Sequence, residues 1–530
     1  MPSILLPIFS AFLLYLSFPP ADWGPLAWGA VVPLIVYALR EPSGKRVFFL
    51  SWLGGFLFFT AGLFWLRHTA PVGPFGIGAY KGLSWALFAV ILRRLHFGAR
   101  WPVSLAAPAA WLTLEYVRSY LIGGMPWLLA GYSQHRALGV IQIADLGGVW
   151  LVSALVLFVN GVAAQAFLRP GTRRRWSAAA FASVLIALVY GALRLSTLPE
   201  GGAGPVVGIV QPNIPQEIKN VGRHDPIEGE RIFEKHLRLT RELVEREPAV
   251  ALVVWPESVI QEGVYYHRAA GRWLHLGRFE EITSGVRSIG RPLLAGMLVG
   301  DVTRPGSRES NDLALVYGVR PDELECTNSA LLFDERGEVR ARYDKIRLVQ
   351  FTERMPFEPM IPVKKIVAWF LHVPKVYEFL PGQRAVTFPI GGRTFGVCIC
   401  SENFYPDIWR ENARNGASVI VNISNEGWFR DSAELDEMLA MAKFRAVENR
   451  VACVRGTNTG ISAVIDAGGR IVRTLAGPDG AMKTVEGTMA VAVPAGPGGS
   501  PYGTVGDAAA WAAAAATLAG LAWSAFFAKR

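Results

Sequence analysis

Two cysteines stand one residue apart at the end of an apolar run in GVCICSENFYPD, residues 396–407. The run TFGVCIC is typical of a buried strand, and the residues after it indicate a turn into a helix whose first turn carries Pro406 and Asp407. Cys400 is then the last strand residue before a helix, where backbone N–H groups can hold an oxyanion and lower the pKa of a thiol. Cys398, one pleat deeper, is expected to pack in the core. Alone, such a pair is more often two small buried hydrophobic residues.

A nucleophilic cysteine also needs a base and a group that stabilises developing negative charge. In VVWPES, Glu257 follows a strand beside Trp255 and Pro256, whose apolar bulk would raise its pKa toward a range useful for a base. In YDKIRLVQFTERMPF, Lys345 is a cation among apolar residues, and Glu353 follows it. Each residue alone is more typical of a surface or loop charge. In the order Glu, Lys, Cys, they form a more specific pattern.

The elements that would position these groups alternate along residues 205–497. Short β-branched runs, among them VVGIVQ, ALVVWPES, ASVIVNIS and ACVRGTN, alternate with helical stretches such as 227–246. This pattern predicts a layered α/β domain of about 290 residues. Four cysteines do not make a disulfide framework in so large a domain. Cys398 and Cys400, two apart on one strand, would share a face and be badly placed to bond to each other.

The remainder of the chain is more apolar. Of the 530 residues, 51% are hydrophobic and 17 are Trp, which is too apolar for one ordinary soluble domain. A membrane span needs about 20 largely apolar residues. Runs of this kind occur at roughly 3–19, 23–40, 47–67, 76–95, 102–121, 140–168, 177–194 and 506–527.

The first run is expected to be a retained span rather than a signal peptide, because no basic residue precedes it and it meets Pro19-Pro20 instead of a small-residue cleavage site. The sequence therefore predicts three parts. They are a membrane domain of seven transmembrane helices (1–195), an exported α/β domain (205–497) and a C-terminal transmembrane helix (506–527).

Loop charges predict the orientation of the spans. The basic residues on one side are Arg40, Lys45, Arg46, Arg93, Arg94, Arg100, Arg169, Arg173, Arg174, Arg175, Lys529 and Arg530. The short loops on the opposite side carry only Arg67, Lys81, Arg118 and Arg136. The positive-inside rule then places both termini in the cytoplasm and the segment 195–505 outside. The net charge of +10 is thus partly a topology signal, and nucleic acid is not expected as a partner.

Longer stretches of the sequence resemble a known family. The exported domain is similar to the carbon-nitrogen hydrolase (nitrilase) superfamily, whose Glu-Lys-Cys triad corresponds to Glu257, Lys345 and Cys400. The whole chain resembles the bacterial apolipoprotein N-acyltransferase family. The matching stretches are FPPADWGPLAWGAVVPL (18–34), GGMPWLLAGYSQ (123–134), VQPNIPQEIK (210–219), TNSALLF (327–333), NISNEGWF (422–429) and FRAVENRVACVRGTNTGIS (444–462).

The chain departs from this family at a few positions. Gln350 and Thr352 stand in LVQFTE, where members commonly have Pro and Gly. Ser401 follows the cysteine in place of Tyr, and Glu437-Met438 replaces Gln-His. These residues would line the acceptor or acyl pocket, so the resemblance implies the chemistry but not the exact substrates.

The resemblance implies a nitrilase-like αββα sandwich and a ping-pong acyl transfer at the outer face of the bacterial inner membrane. Cys400 would attack a phospholipid ester, Glu257 would take the thiol proton, and Lys345 with a backbone N–H would stabilise the oxyanion. The α-amine of a diacylglyceryl-cysteine lipoprotein would then attack the thioester. Glu353 and Glu402 would position Lys345 or the turn that bears the thiol. No cofactor or metal is expected, since the sequence contains neither zinc-like Cys/His spacing nor a P-loop, and we expect a monomer.

Three alternatives stay open at this point. A membrane-tethered amidase or nitrilase would share the triad but hydrolyse its acyl-enzyme with water. A divergent N-acyltransferase would use another amine acceptor. A transporter with an exported receptor domain would explain the spans, although ionisable residues within them are few and lie near the predicted ends.

The segment 361–377, IPVKKIVAWFLHVPKVY, has a composition suited to the headgroup boundary of a membrane. It joins Lys364 and Lys365 to Trp369, Phe370 and Leu371. As a lipid-facing lid it would dip into the outer leaflet and admit acyl chains to Cys400. A buried helix at the domain surface explains the same composition equally well.

Overall fold

A computed structural model describes residues 3–121, 124–198, 204–222, 225–261, 264–268, 270–274, 277–302, 324–355 and 378–527. The segment predicted as a lid, with Trp369, Phe370 and Leu371, lies outside these described residues. The described chain has an α-helical part and a layered α/β domain.

The α-helical part consists of the helices before residue 197 and the last helix of the chain. The helices are α1 (Leu6–Tyr15), α2 (Ala27–Ala30), α3 (Val32–Arg40), α4 (Gly44–Gly62), α5 (Gly73–Arg93), α6 (Val103–Tyr120), α7 (Leu138–Ile141), α8 (Ala144–Leu168) and α9 (Arg173–Ser196). The last helix spans Ala508–Phe527. Among the described residues, four helices are long and apolar enough to cross a membrane: Gly73–Gly98, Ala144–Leu168, Pro170–Ser196 and Ala508–Phe526.

The first two predicted spans are not single helices. In the run 3–19, α1 has 10 residues, about 15 Å of helix, which is shorter than the ~30 Å hydrocarbon core of a bilayer. The run 23–40 is interrupted at Val31, between α2 and α3. Pro33 lies in the first turn of α3 and has no N–H with which to continue the preceding helix. The Val31 N–H instead donates to the Asn160 side chain at 2.9 Å.

The α/β domain contains fourteen described strands and six described helices. The first strands are β1 (Val206–Gln211), β2 (Val250–Val254), β3 (Tyr265–His267), β4 (Arg272–Leu274), β5 (Leu293–Val302), β6 (Leu324–Phe333) and β7 (Val339–Asp344). The others are β8 (Thr387–Ile390), β9 (Arg393–Ile399), β10 (Val419–Ser424), β11 (Ala452–Thr457), β12 (Ala463–Ile465), β13 (Ile471–Thr474) and β14 (Gly487–Ala492). The helices are α10 (Gln216–Gly222), α11 (Pro226–Arg246), α12 (Gly277–Ile289), α13 (Pro406–Arg414), α14 (Ala433–Asn449) and α15 (Pro501–Val505); Ala508–Phe527 is α16.

The strands form two sheets that pack face to face. One sheet has the order β14-β1-β2-β5-β3-β4, with β6 also paired to β5 and β7 paired to β6. The other has the order β13-β12-β11-β10-β9-β8. Buried β-branched and aliphatic side chains of both sheets meet between them, including Val207, Ile209, Leu252, Val397, Ile399 and Val421. Helices α11 and α12 cover the outer face of the first sheet, and α13 and α14 that of the second. The predicted α/β layers are therefore confirmed, in the order αββα.

Helix α14 joins the two parts of the molecule. Its buried residues Met438, Met441, Phe444 and Val447 belong to the same apolar core as helices α1–α9. The centroid of the Trp127 ring lies 4.6 Å from that of Phe404, in the turn after β9. The second sheet therefore packs against the helical part through α14 and this turn.

Candidate active site

Cys400 begins a tight turn immediately after β9. Its φ of 50° lies in the left-handed region, which is uncommon outside glycine and is often found at functional sites. The turn directs Cys400 toward the core between the sheets, whereas the fully buried Cys398 packs beneath α13 and α14. The prediction that the two cysteines share a face was wrong, because the chain changes direction after Ile399. Both thiols are free.

Glu402 holds this turn against the segment that follows β7. One carboxylate oxygen accepts from the backbone N–H groups of Ile346 (2.7 Å) and Arg347 (3.0 Å). The other accepts from Ile399 N–H (2.7 Å) and the Tyr343 hydroxyl (2.7 Å). Burial raises the pKa of Glu402 to about 7 although all these bonds favour the carboxylate. Glu402 therefore fixes the end of β9 relative to the residues next to Lys345.

Lys345 lies between two carboxylates. Its ammonium nitrogen is 3.0 Å from Glu353 Oε1 and 3.3 Å from Glu257 Oε1. The Asn328 side-chain amide donates to the same two oxygens, at 2.8 Å for Glu257 and 2.9 Å for Glu353. All four side chains are buried. The second oxygen of Glu353, Oε2, accepts from the Val349 N–H at 2.8 Å, and the Glu353 N–H donates to the Val349 carbonyl. These two bonds fix the Glu353 side chain beside Lys345.

Glu257 follows β2, as predicted, but its acidity is the opposite of the prediction. Burial pushes its pKa upward, yet the attraction of Lys345 and the hydrogen bond from Asn328 outweigh burial, so the pKa lies below the ordinary glutamate value. The Asn425 N–H donates to Oε2 at 2.9 Å and further favours the charged form. The apolar bulk of Trp255 therefore does not make Glu257 a strong base in the resting site.

The acidity of Cys400 also differs from the prediction. Burial, followed by repulsion from Glu257, raises the thiol pKa well above its ordinary value, and the attraction of Lys345 only partly opposes this. The turn thus does not supply a preformed thiolate. The resting site pairs a neutral thiol with an ionised Glu257 and an ammonium on Lys345.

Two further buried residues near Glu257, Asn328 and Lys219, were not predicted as site residues from the sequence. Asn328 bridges the two carboxylates, as described above. Lys219 on α10 donates from its ammonium to the Glu257 backbone carbonyl at 3.0 Å, and burial lowers its pKa to about 8. Both lie in stretches that carried the family resemblance, TNSALLF and VQPNIPQEIK. Their position in these two stretches was the signal by which the sequence could have identified them. The strand and helix patterns did not show which way their side chains point.

The residues that differ from the common family sequence lie in three different parts of the structure. Gln350 lines a surface cavity with Arg347 and Arg354, and Thr352 is exposed nearby. Ser401 is buried within the turn.

Glu437 and Met438 lie on α14 beside the helical part. The Glu437 carboxylate accepts hydrogen bonds from the Trp65 and Trp127 indoles through one oxygen. Burial raises its pKa to about 8.

Comparisons with known proteins agree across both parts. The family model for the apolipoprotein N-acyltransferase N-terminal domain matches residues 10–162, and the carbon-nitrogen hydrolase model matches residues 206–492. The apolipoprotein N-acyltransferase of Geobacter metallireducens is 33% identical, over 98% of this chain and 95% of the relative. Apolipoprotein N-acyltransferase 1 of Treponema pallidum is 31% identical, over 89% and 87%.

A solved structure of a mutant amidase from Nesterenkonia sp. AN1 is also similar, with 17% identity, a TM-score of 0.37, and coverage of 59% of this chain and 97% of that one. The sequence matches to the relatives, by contrast, extend through both the helical part and the α/β domain. The chain therefore belongs to the apolipoprotein N-acyltransferase family and carries a carbon-nitrogen hydrolase domain.

Proposed function

We propose that this protein N-acylates lipoproteins: an acyl chain moves from a phospholipid to Cys400 and then to the α-amine of a diacylglyceryl-cysteine. The observation that carries this proposal is the match to an apolipoprotein N-acyltransferase over 98% of the chain. The buried Glu257 and Lys345 and the partly buried Cys400 could supply a base, a cation and a nucleophile for such chemistry.

In the first half-reaction, Cys400 Sγ attacks the ester carbonyl carbon of the phospholipid. Because the thiol is protonated and Glu257 is ionised, the proton passes to Glu257 as the C–S bond forms. Lys345 and a backbone N–H stabilise the tetrahedral oxyanion. The C–O bond then breaks, Glu257 returns the proton to the leaving oxygen, and lysophospholipid departs from the thioester.

In the second half-reaction, the lipoprotein amine attacks the thioester carbonyl. Glu257 takes a proton from the attacking nitrogen, the C–S bond breaks, and the thiol is restored with a proton. Glu353 and Glu402 transfer no proton in this scheme. Glu353 holds the ammonium of Lys345 at 3.0 Å, and Glu402 holds the turn that bears the thiol.

The proposal includes a location. Eight spans, counted with the short helices of the first two runs, would place the α/β domain in the periplasm and both termini in the cytoplasm of a bacterial inner membrane. The excess of basic residues in alternate loops supports this orientation. A phospholipid of the outer leaflet would then be the acyl donor.

The proposal is tested by single-turnover acylation of the purified full-length chain. A fluorescent phospholipid should label the wild-type protein through a thioester, and a diacylglyceryl-cysteine peptide should then remove the label as an N-acyl product. Lys345→Met, which loses the cation but keeps most of the side-chain stem, should bind the donor and acylate roughly 10²–10³-fold more slowly. Release of the label as free acid at the same rate with and without peptide would instead show a hydrolase, and absence of labelling would contradict both.

A further inference from the structure

A cationic cavity opens beside the candidate active site, on the side of the helical part. It has a volume of about 140 Å³ and is lined by Tyr120, Ile346, Arg347, Leu348, Gln350, Arg354 and Tyr405. Two guanidiniums, two phenol groups and one amide therefore surround a space in which the described residues place no carboxylate among the lining side chains. Guanidiniums bind phosphate through paired N–H donors.

The two arginines differ in whether a described carboxylate pairs with the guanidinium. Arg347 already pairs with Asp407 and lies over the Tyr405 ring, with 5.5 Å from the guanidinium carbon to the ring centroid. It still has N–H donors to spare, since a guanidinium has five. Arg354 is exposed, and within the described part of the chain no ion pair involves its side chain. Arg354 thus adds a second guanidinium to the cavity lining.

The cavity wall is continuous with the oxyanion site. Ile346, Arg347 and Leu348 follow Lys345 directly, and Glu402 fixes the first two through their N–H groups. Three residues span at most about 11 Å. In a glycerophospholipid, five or six covalent bonds, roughly 6–8 Å, separate the phosphorus from an acyl carbonyl carbon. The two lengths are comparable, so a phospholipid whose phosphate lies in the cavity can extend its acyl ester along Ile346 toward Lys345 and Cys400.

The surroundings of the cavity suit the boundary between headgroups and acyl chains. Tyr120 ends α6, at the end of a span that the loop charges place on the outer side. Two large apolar side chains next to the lining residues are exposed, Leu121 at 52% and Phe351 at 50%. Cations beside exposed apolar side chains are typical of a lipid interface.

We propose that this cavity binds the phosphate of the donor phospholipid through Arg354 and Arg347, and so selects donors that carry a phosphodiester next to the ester. The inference rests on the proposed function and adds a headgroup subsite to it. Gln350 adds a side-chain amide to the cavity lining. Members of the family commonly have proline at this position.

The test compares two donors with identical acyl chains, phosphatidylglycerol and diacylglycerol, in the same detergent micelles. The readout is the rate of Cys400 acylation by intact mass. The wild-type enzyme should prefer the phosphate-bearing donor by tenfold or more, and Arg354→Gln should reduce that ratio about tenfold, chiefly through the donor concentration at half-maximal rate. Arg393→Gln removes an exposed arginine on β9 and should leave the ratio unchanged. An unchanged ratio in Arg354→Gln would overturn the subsite.

A binding arm separates the subsite from the chemistry. Cys400→Ala cannot form a thioester, so the affinity of this variant for short-chain phosphatidylglycerol reports the cavity alone. Adding Arg354→Gln or Arg347→Gln should weaken that affinity about tenfold, while millimolar inorganic phosphate should compete only weakly. Competition by inorganic phosphate as strong as that by the lipid would overturn the assignment to a headgroup. Retained binding by Cys400→Ala with no acylation of the wild-type enzyme by any donor would contradict the proposed function while supporting the phosphate site.

Discussion

At the scale of single residues, the proposed acyl transfer depends on whether Cys400 and Glu257 carry a proton. Burial keeps the Cys400 thiol protonated, and Lys345 together with Asn328 keeps Glu257 charged. A thiolate would be repelled by the adjacent carboxylate. In the proposed mechanism, the sulfur therefore becomes nucleophilic only as its proton moves to Glu257.

The two cysteines should respond differently to the same substitution. Cys400→Ala should abolish acyl-enzyme formation. Cys398→Ala should leave the rate within about tenfold of wild type and lower stability by roughly 1 kcal/mol, because its sulfur only packs beneath α13 and α14. Intact-mass spectrometry after incubation with phospholipid measures both. A thioester on the Cys400→Ala protein would remove Cys400 from its assigned role.

Glu257→Gln keeps the side-chain shape but cannot accept a proton, so acylation should slow roughly 10²–10⁴-fold. The wild-type rate should fall only in acid. Because the folded-state pKa of Glu257 lies below the ordinary glutamate value, the active carboxylate persists down to that value and is lost only as the pH falls below it. Single-turnover acylation at a series of pH values measures both effects. If Glu257→Gln acylates at the wild-type rate, Glu353 or Glu402 must act as the base instead.

At the scale of elements, local patterns predicted the α/β domain better than the helical part. The runs VVGIVQ and ASVIVNIS form β1 and β10, and the helix expected at 227–246 spans Pro226–Arg246, because β-branched runs and helical periodicity are local signals. The division of 23–40 depends on a distant partner, Asn160. The same limit applies to the candidate active site. Its residue types could be identified in the sequence, but the direction in which the pKa of Glu257 shifts depends on partners such as Asn328, which are brought close only by the fold.

Glu437 on α14 gives a prediction about stability and pH. Its pKa rises from 4.5 in the unfolded chain to about 8 in the folded one. Stability from this group is complete below pH 4.5 and declines as the pH rises to about 8, because the unfolded chain releases the proton first. Glu437→Gln keeps one oxygen to accept from both indoles and cannot titrate. The variant should match wild type near pH 4.5 and be more stable near pH 8.5 by on the order of 5 kcal/mol.

Thermal unfolding of the full-length protein in detergent at both pH values measures this difference. Glu245→Gln is the control, since Glu245 is exposed on α11 and should unfold with the same pH dependence as wild type. If Glu437→Gln shows the same stability difference from wild type at both pH values, Glu437 does not titrate in this range.

At the scale of the whole molecule, the α/β domain and the helical part share buried polar contacts as well as an apolar core. The fully buried Arg450, which follows α14, pairs with Asp145 of α8 at 2.6 Å. Arg194 on α9 binds the same carboxylate oxygen at 2.8 Å. The Glu448 carboxylate accepts from Val149 N–H at 2.8 Å. An isolated buried charge is costly, so these pairs favour one fixed placement of the candidate active site relative to the helices.

Because the candidate active site is fixed relative to the helices, the orientation of the chain in the membrane decides which leaflet can supply the acyl donor. The sequence assigned twelve basic residues to one set of loops and the C-terminus, and four to the opposite loops. The assignment of two of the four was wrong, because Lys81 and Arg118 are buried within helices α5 and α6. The positive-inside rule still predicts that the first set is cytoplasmic. A reporter fused after Arg530 should then be active only if it is of a type that works in the cytoplasm. A protease site inserted in the sequence stretch 301–311 should be cut in spheroplasts without lysis. A protease site in the basic connection between α8 and α9, at residues 169–172, is the matched control and should be cut only after lysis. If the pattern is reversed, the candidate active site faces the cytoplasm, and the outer-leaflet phospholipid cannot be the acyl donor.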